Sequence, residues 1–249
     1  MAKKFKDYYD IDTAKLIADK IKKVFSEFDS AGFADRISQQ IVDKEFLQRQ
    51  DVYAEAFEEY LGNNYSHNVE IFSLILGDEL QTTEGMFTYG WWLWPIGRYI
   101  ERRGPEDFEL SMNFIYELTK RFTGEFAVRP LLIQNPKKTL KFILKWSKDK
   151  NVHVRRLASE GIRISLPWAK KTLAGVNEFE IYKEILTNLK NSPEKFVQKS
   201  VGNNLNDLMK EDPVKAKEII DLWRAQSPTK ETLWIIKHGL RSVKNKDTI

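Results

Sequence analysis

The 249-residue sequence contains no cysteine. That absence excludes a disulfide framework, thiolate zinc sites, iron–sulfur clusters and a cysteine nucleophile together. Histidine is also scarce: His67, His153 and His238 lie far apart and match no metal-ligand spacing such as His-Glu-x-x-His. A structural metal is therefore not expected. No segment approaches the roughly 18 uninterrupted apolar residues of a membrane helix, and the opening MAKKFKDYYDIDTAK has early lysines without the apolar stretch of a signal peptide. The expectation is a cytoplasmic protein with no membrane partner. Strongly alternating strand patterns bounded by hairpin turns are missing too.

What is present is apolar and aromatic mass. Hydrophobic residues make up 42% of the chain, with seven Trp, nine Tyr and 15 Phe, enough for a substantial core despite 31% charged residues. Length and composition predict one domain spanning residues 1–249. Apolar spacing is helical nearly throughout, as in Leu16, Ile17, Ile21, Val24, Phe25 and Phe28. Gly32, Gly62, Gly77, Gly104, Pro105, Pro130, Pro136, Pro193, Pro213 and Pro228 punctuate the helical runs. The spacing predicts paired helices over 137–148 and 152–163, then 178–190 and 194–210, then 214–225 and 229–243. Val154 and Val197 are equivalent positions in successive pairs, a separation near the HEAT-repeat period. The predicted fold class is all-α: a HEAT-like helical repeat solenoid of stacked antiparallel helix pairs, with a concave basic surface suited to a long partner.

Charge is unevenly distributed. Net charge is only +4, yet residues 136–171 hold 11 of the 40 Lys and Arg and only Asp149 and Glu160 among the 36 acids. A basic segment on an otherwise acidic body is the footprint of a phosphate-binding surface, although a solvated lysine-rich helix face would read the same way.

Polar stripes run beside the apolar ones. Arg156 and Glu160 flank Val154, Leu157, Ala158 and Gly161. Lys199, Asn203 and Asp207 flank Val197, Val201, Leu205 and Leu208. Arg121 and Glu125 flank Ile115, Leu118, Phe122 and Phe126. Three helices are thus expected to present a basic residue followed four positions later by an acid or amide. Ordinary surface pairs are one reading. The order, base before acid, is the less favourable one for such pairs. Carboxylates inside a basic surface would also repel phosphate, so they need a chemical or orienting role if that surface binds DNA.

The segments TKRFTGEFAVRP at 119–130, VHVRRLASEGIRISLPWA at 152–169 and FVQKSVGNNLNDL at 196–208 resemble the AlkC group of HEAT-like DNA alkylation repair glycosylases, related in fold to the AlkD group. The resemblance implies catalytic positions at Glu125, Glu160 and Asp207, with Arg156 as an orienting arginine and Trp168 against the lesion or its sugar. It implies a monofunctional glycosylase without metal or organic cofactor, removing 3-methyladenine and 3-methylcytosine from double-stranded DNA and leaving an abasic site. Lys137, Lys141, Lys145, Arg155, Arg163 and Lys199 are the expected DNA-backbone contacts. A monomer, nucleoid-associated when on DNA, and no additional C-terminal domain complete the expectation.

Alkylation at a ring nitrogen makes the base cationic and a good leaving group, so charge on the deoxyribose is the main demand. A carboxylate near C1′ meets it by stabilising an oxocarbenium ion and positioning water. Glu160, with Arg156 one turn before it, is the first candidate. Trp91, Trp92 and Trp94 are expected in the core or a wall. Two alternatives stand: a non-catalytic HEAT-like module that binds bent or branched DNA, and a scaffold for protein partners. The chain also departs from the family pattern, with Ile164 and Ser165 where Pro and Arg are expected and Gln198 and Gly202 where Arg and Ala are common. Loss of those arginines is expected to remove phosphate contacts.

Overall fold

A computed structural model describes residues 3–243. Among them there is no strand, and no helix is long and apolar enough to cross a membrane. The chain divides into two compact units at Pro130 and Leu131.

Unit one contains α1 (Ile11–Val24), α2 (Ser30–Gln40), α3 (Phe46–Leu61), α4 (Tyr65–Ile75), α5 (Trp94–Arg103) and α6 (Phe108–Thr119). Its helices start where short polar side chains cap free amides: Asp10 accepts from Asp12 and Thr13, Asn64 from His67 and Asp107 from Leu110. The core is aromatic, with Phe33 stacked on Phe57, Phe57 edge-on to Phe72, and Phe72 edge-on to Tyr99. Trp92 and Trp94 are buried, in keeping with their expected place in the core or a wall.

α7 (Val128–Gln134) contains the division, and α8 (Pro136–Trp146) opens the helix pairs of unit two. There follow α9 (Val152–Glu160), the short α10 (Ala174–Asn177), α11 (Phe179–Leu189), α12 (Lys195–Glu211), α13 (Pro213–Ala225) and α14 (Lys230–Gly239). These are the three expected pairs. Within unit two, the first helices α8, α11 and α13 pack in succession, and so do the second helices α9, α12 and α14. This is the HEAT-like repeat arrangement. Asn151, Asp212 and Thr229 cap α9, α13 and α14, while Pro136 and Pro213 occupy first-turn positions that need no amide donor.

The layers are tied by buried polar contacts as well as by Val154, Leu157, Val197, Val201, Leu205 and Leu208. Asn204 donates to the Ser159 carbonyl at 2.7 Å and accepts from the Tyr182 hydroxyl, joining α9, α11 and α12. Asn206 donates to the Gly239 carbonyl at 2.7 Å. Buried amides of this kind fix the register between repeats, because a slip would leave them unsatisfied.

The expected helix carrying Arg121 and Glu125 does not form. α6 ends at Thr119, and residues 120–127 make a turn. Gly124 is the reason: a Cβ there would lie 2.6 Å from Ile115 Cγ2 and 2.8 Å from Thr119 Oγ1, so only glycine lets the chain fold back on α6.

Candidate functional site: a buried ion-pair bridge beneath an exposed tryptophan

α9 ends at Glu160, and the chain then runs as a loop to α10. Burial of Ile162, Ile164 and Leu166 pins this loop to the core. Glu160, Arg163 and Asp207 form a continuous bridge under it, with side chains only 6%, 10% and 8% exposed. Arg163 Nη1 donates to Glu160 Oε1 at 2.7 Å, Arg163 Nε to Asp207 Oδ2 at 2.9 Å, and Arg163 Nη2 to the Ser165 carbonyl at 3.0 Å. The Ser165 amide lies 3.4 Å from Asp207 Oδ2. One turn beyond Asp207 on α12, Glu211 pairs with Lys171, so the loop is held at both ends.

The other Glu160 oxygen accepts from the Ser200 hydroxyl at 2.6 Å, and Arg156 Nη2 lies 3.5 Å from Oε1. Burial works to raise the Glu160 carboxyl's pKa, but the Arg156 and Arg163 guanidiniums and the Ser200 hydrogen bond outweigh it and hold the group below its usual range. Arg163 stays charged for the reciprocal reason: Glu160 and Asp207 more than offset its burial.

Trp168 stands at the crest of the loop. It is 58% exposed and adopts φ 63°, a left-handed conformation that is costly for a bulky side chain. This exposure leaves the indole outside the core. A strained, exposed indole on a firmly anchored loop is fit to meet a flat or cationic ligand.

Other predicted residues fall differently. Glu125 lies in unit one, in the turn after α6, buried and accepting from the Thr123 hydroxyl at 2.9 Å. Arg121 does not form a stripe with it, donating instead to the Gly77 carbonyl and to Glu117. Arg156 is not the closest cation to Glu160, and its guanidinium also lies over the Phe196 ring. Arg163, expected on DNA phosphate, spends its three nitrogens inside the protein. Arg155 is likewise occupied, by the Asp149 and Lys150 carbonyls and by Glu194. Asn203 leaves the stripe of Asp207 and pairs with His238 and Arg241 of the following repeat. Lys137, Lys141, Lys145 and Lys199 are exposed. Neither Ser200 nor the positioning role of Arg163 is foreseen from the sequence. The spacing of Arg163 three residues after Glu160 was the available signal.

The departures from the family pattern have local causes. Buried Gln198 donates to the Ser192 carbonyl at 2.8 Å, closing the turn before α12. At Gly202 a Cβ would lie 2.7 Å from His238 Cδ2. Ile164 is a core residue, and Ser165 enters the bridge through its backbone.

Residues 123–239 match the family described as DNA alkylation repair enzyme. That match covers just under half of the chain. It contains the bridge, Trp168 and Glu125. An AlkC structure, the Pseudomonas fluorescens alkylpurine DNA glycosylase bound to DNA containing an abasic site analog, superposes with a TM-score of 0.84 at 29% identity, over 97% of this chain and 65% of that one. The Bacillus subtilis (strain 168) protein YhaZ, described as uncharacterized, is 40% identical over 148 residues, 59% of this chain and 41% of its own length. The chain thus spans less than half of that relative and about two thirds of the solved AlkC chain. The family match and the AlkC likeness agree in making this chain similar to alkylation repair proteins.

The bridge has a pH signature. A buried carboxylate whose folded pKa is depressed stabilises the protein above its unfolded pKa, near 4.5, and loses that contribution as pH falls through the folded value. Glu160→Gln is expected to cost about 3 kcal/mol at neutral pH. Denaturant titration should show this gap from the parent narrowing on acidification below pH 4.5. A gap that stays constant would contradict the ionised bridge.

Proposed function

We propose that the chain is a monofunctional DNA glycosylase that hydrolyses the N-glycosidic bond of cationic alkylated bases, 3-methyladenine and 3-methylcytosine, in double-stranded DNA. The carrying observation is Trp168, at the end of the family's second motif, exposed and strained on a loop fixed by a buried ion-pair bridge. The AlkC likeness supports the reading. In this account Trp168 meets the cationic base or its deoxyribose, a contact of about 0.5 to 2 kcal/mol. The base leaves with the electrons of the C1′–N bond. Water adds at C1′ and gives up a proton, producing a free base and an abasic site.

Glu160 and Asp207 hold Arg163 and the loop, and their carboxylates, in the same unit as Trp168, are also the proposed stabilisers of the positive charge developing on the sugar. No lysine is given a nucleophilic role, and a monomer acting without metal or organic cofactor is proposed. The engagement of Glu160 and Asp207 also favours a second reading, a non-catalytic module for bent or branched DNA.

Release of methylated bases from alkylated duplex by the purified protein distinguishes the two readings. Under single turnover, Glu160→Gln should slow excision by roughly 10²- to 10³-fold. Trp168→Ala should also reduce excision while leaving the melting temperature near the parent's, because an exposed indole contributes little packing, whereas a core tryptophan costs about 3 to 5 kcal/mol on truncation. No base release by the parent would reject the enzyme. A large loss of stability in Trp168→Ala would return that residue to the core.

Lys137, Lys141 and Lys145 lie one turn apart on α8, all exposed. We propose them as backbone-phosphate contacts. Neutralising the three should weaken DNA binding and flatten its dependence on salt, as fewer counterions are released. An unchanged slope in a binding titration would remove this face from the interface.

A further inference from the structure

A second group of cations in unit two gathers around one histidine. Arg155, Arg163, Lys171 and Lys183 all face carboxylates. Lys195 and Lys199, one turn apart on α12, instead lie near His238 of α14 and Arg241 just beyond it. Burial, then the charges of Arg241, Lys195 and Lys199, hold the His238 imidazole below its usual range. Among the described residues no carboxylate pairs with Lys195, Lys199 or Arg241. Glu231 acts on Lys195 only at longer range, and lies 3.9 Å from Lys230.

The cluster has a fixed base. Asn203 Oδ1 accepts from Arg241 Nη2 at 3.0 Å, so it also accepts from His238 Nε2 at 3.1 Å, and Nε2 carries a proton. Trp234 stacks on the His238 ring at 4.8 Å and 12°, while Lys195 Nζ lies 3.1 Å from the centroid of the Trp234 ring. Gly202 provides the seat, since a Cβ there would collide with His238. Like charges collected on a firm base without a carboxylate repel one another until an anion arrives.

We propose that Lys195, Lys199, His238 and Arg241 form a docking site for a backbone phosphate of duplex DNA. The proposal rests on the reading that this chain acts on DNA. A polyanion with regularly spaced phosphates fits the cluster better than an acidic protein does, because Lys195 and Lys199 are exposed along α12 and Arg241 just after α14, which packs on α12. Gly202, a departure from the family pattern, becomes part of the site.

Fluorescence anisotropy with an undamaged duplex oligonucleotide, titrated across a range of salt, tests the proposal. Lys199→Gln/Arg241→Gln should make the slope of log K against log salt shallower by about 0.9, the value for one phosphate that is no longer neutralised. Lys210→Gln/Lys217→Gln removes the same charge from elsewhere on α12 and α13 and should keep the parent slope. Equal slopes in the parent and the first variant, or equal changes in both variants, would overturn the site. Base release by the parent together with that outcome would leave the proposed function standing, whereas a parent that neither binds nor excises would overturn both. His238 ring resonances should shift with duplex. A shift with inorganic phosphate alone, at matched ionic strength, would assign the site to a small anion and overturn the DNA assignment.

Discussion

A guanidinium held between two buried carboxylates organises unit two. Removing three charges from water costs several kcal/mol for each ion, recovered only where the geometry is good and the remaining polar atoms are satisfied. Here Arg163 uses Nε, Nη1 and Nη2, Glu160 uses both oxygens, and Asp207 reaches the backbone of Ser165 as well as Arg163. The end of α9, the loop after it and two turns of α12 are thereby fixed together. Apolar packing alone would hold the helices without specifying where the loop rises. With the bridge, Trp168 is carried outward in a conformation it would not adopt unaided.

Much of this was legible in the sequence because repeat proteins write their fold in a one-dimensional code. The spacing of Val154, Leu157, Val197, Val201, Leu205 and Leu208 located the buried faces, and the prolines and capping residues located the helix boundaries. Arg121 and Glu125 break the same spacing because Gly124, through its close approach to Ile115 and Thr119, is a fold-back point and not a helical position. Periodicity also cannot tell which neighbouring layer a polar stripe addresses. Asp207 turns to the preceding repeat and Asn203 to the following one, although both lie beside the same apolar face.

Arginine was the residue type most often misplaced. In a basic segment each arginine reads as a phosphate contact, yet Arg155 and Arg163 satisfy carbonyls and carboxylates inside the fold, where the planar guanidinium serves several acceptors at once. Lysines of the same region, including Lys137, Lys141 and Lys145, stay in solvent. The basic footprint is therefore smaller than composition suggested. Family departures obey the same logic: Gln198 closes a turn and Gly202 admits a histidine, so each change is compensated beside the place where it occurs.

The central physical claim is that the bridge, rather than loop packing alone, presents Trp168. Hydrogen exchange in Asp207→Ala tests it most directly, because the substitution removes the acceptor shared by Arg163 and the Ser165 amide. The account predicts that amides of residues 161–172 exchange at least tenfold faster than in the parent, while those of α12 and α14 stay close to parental protection. Parental protection throughout 161–172 would contradict it.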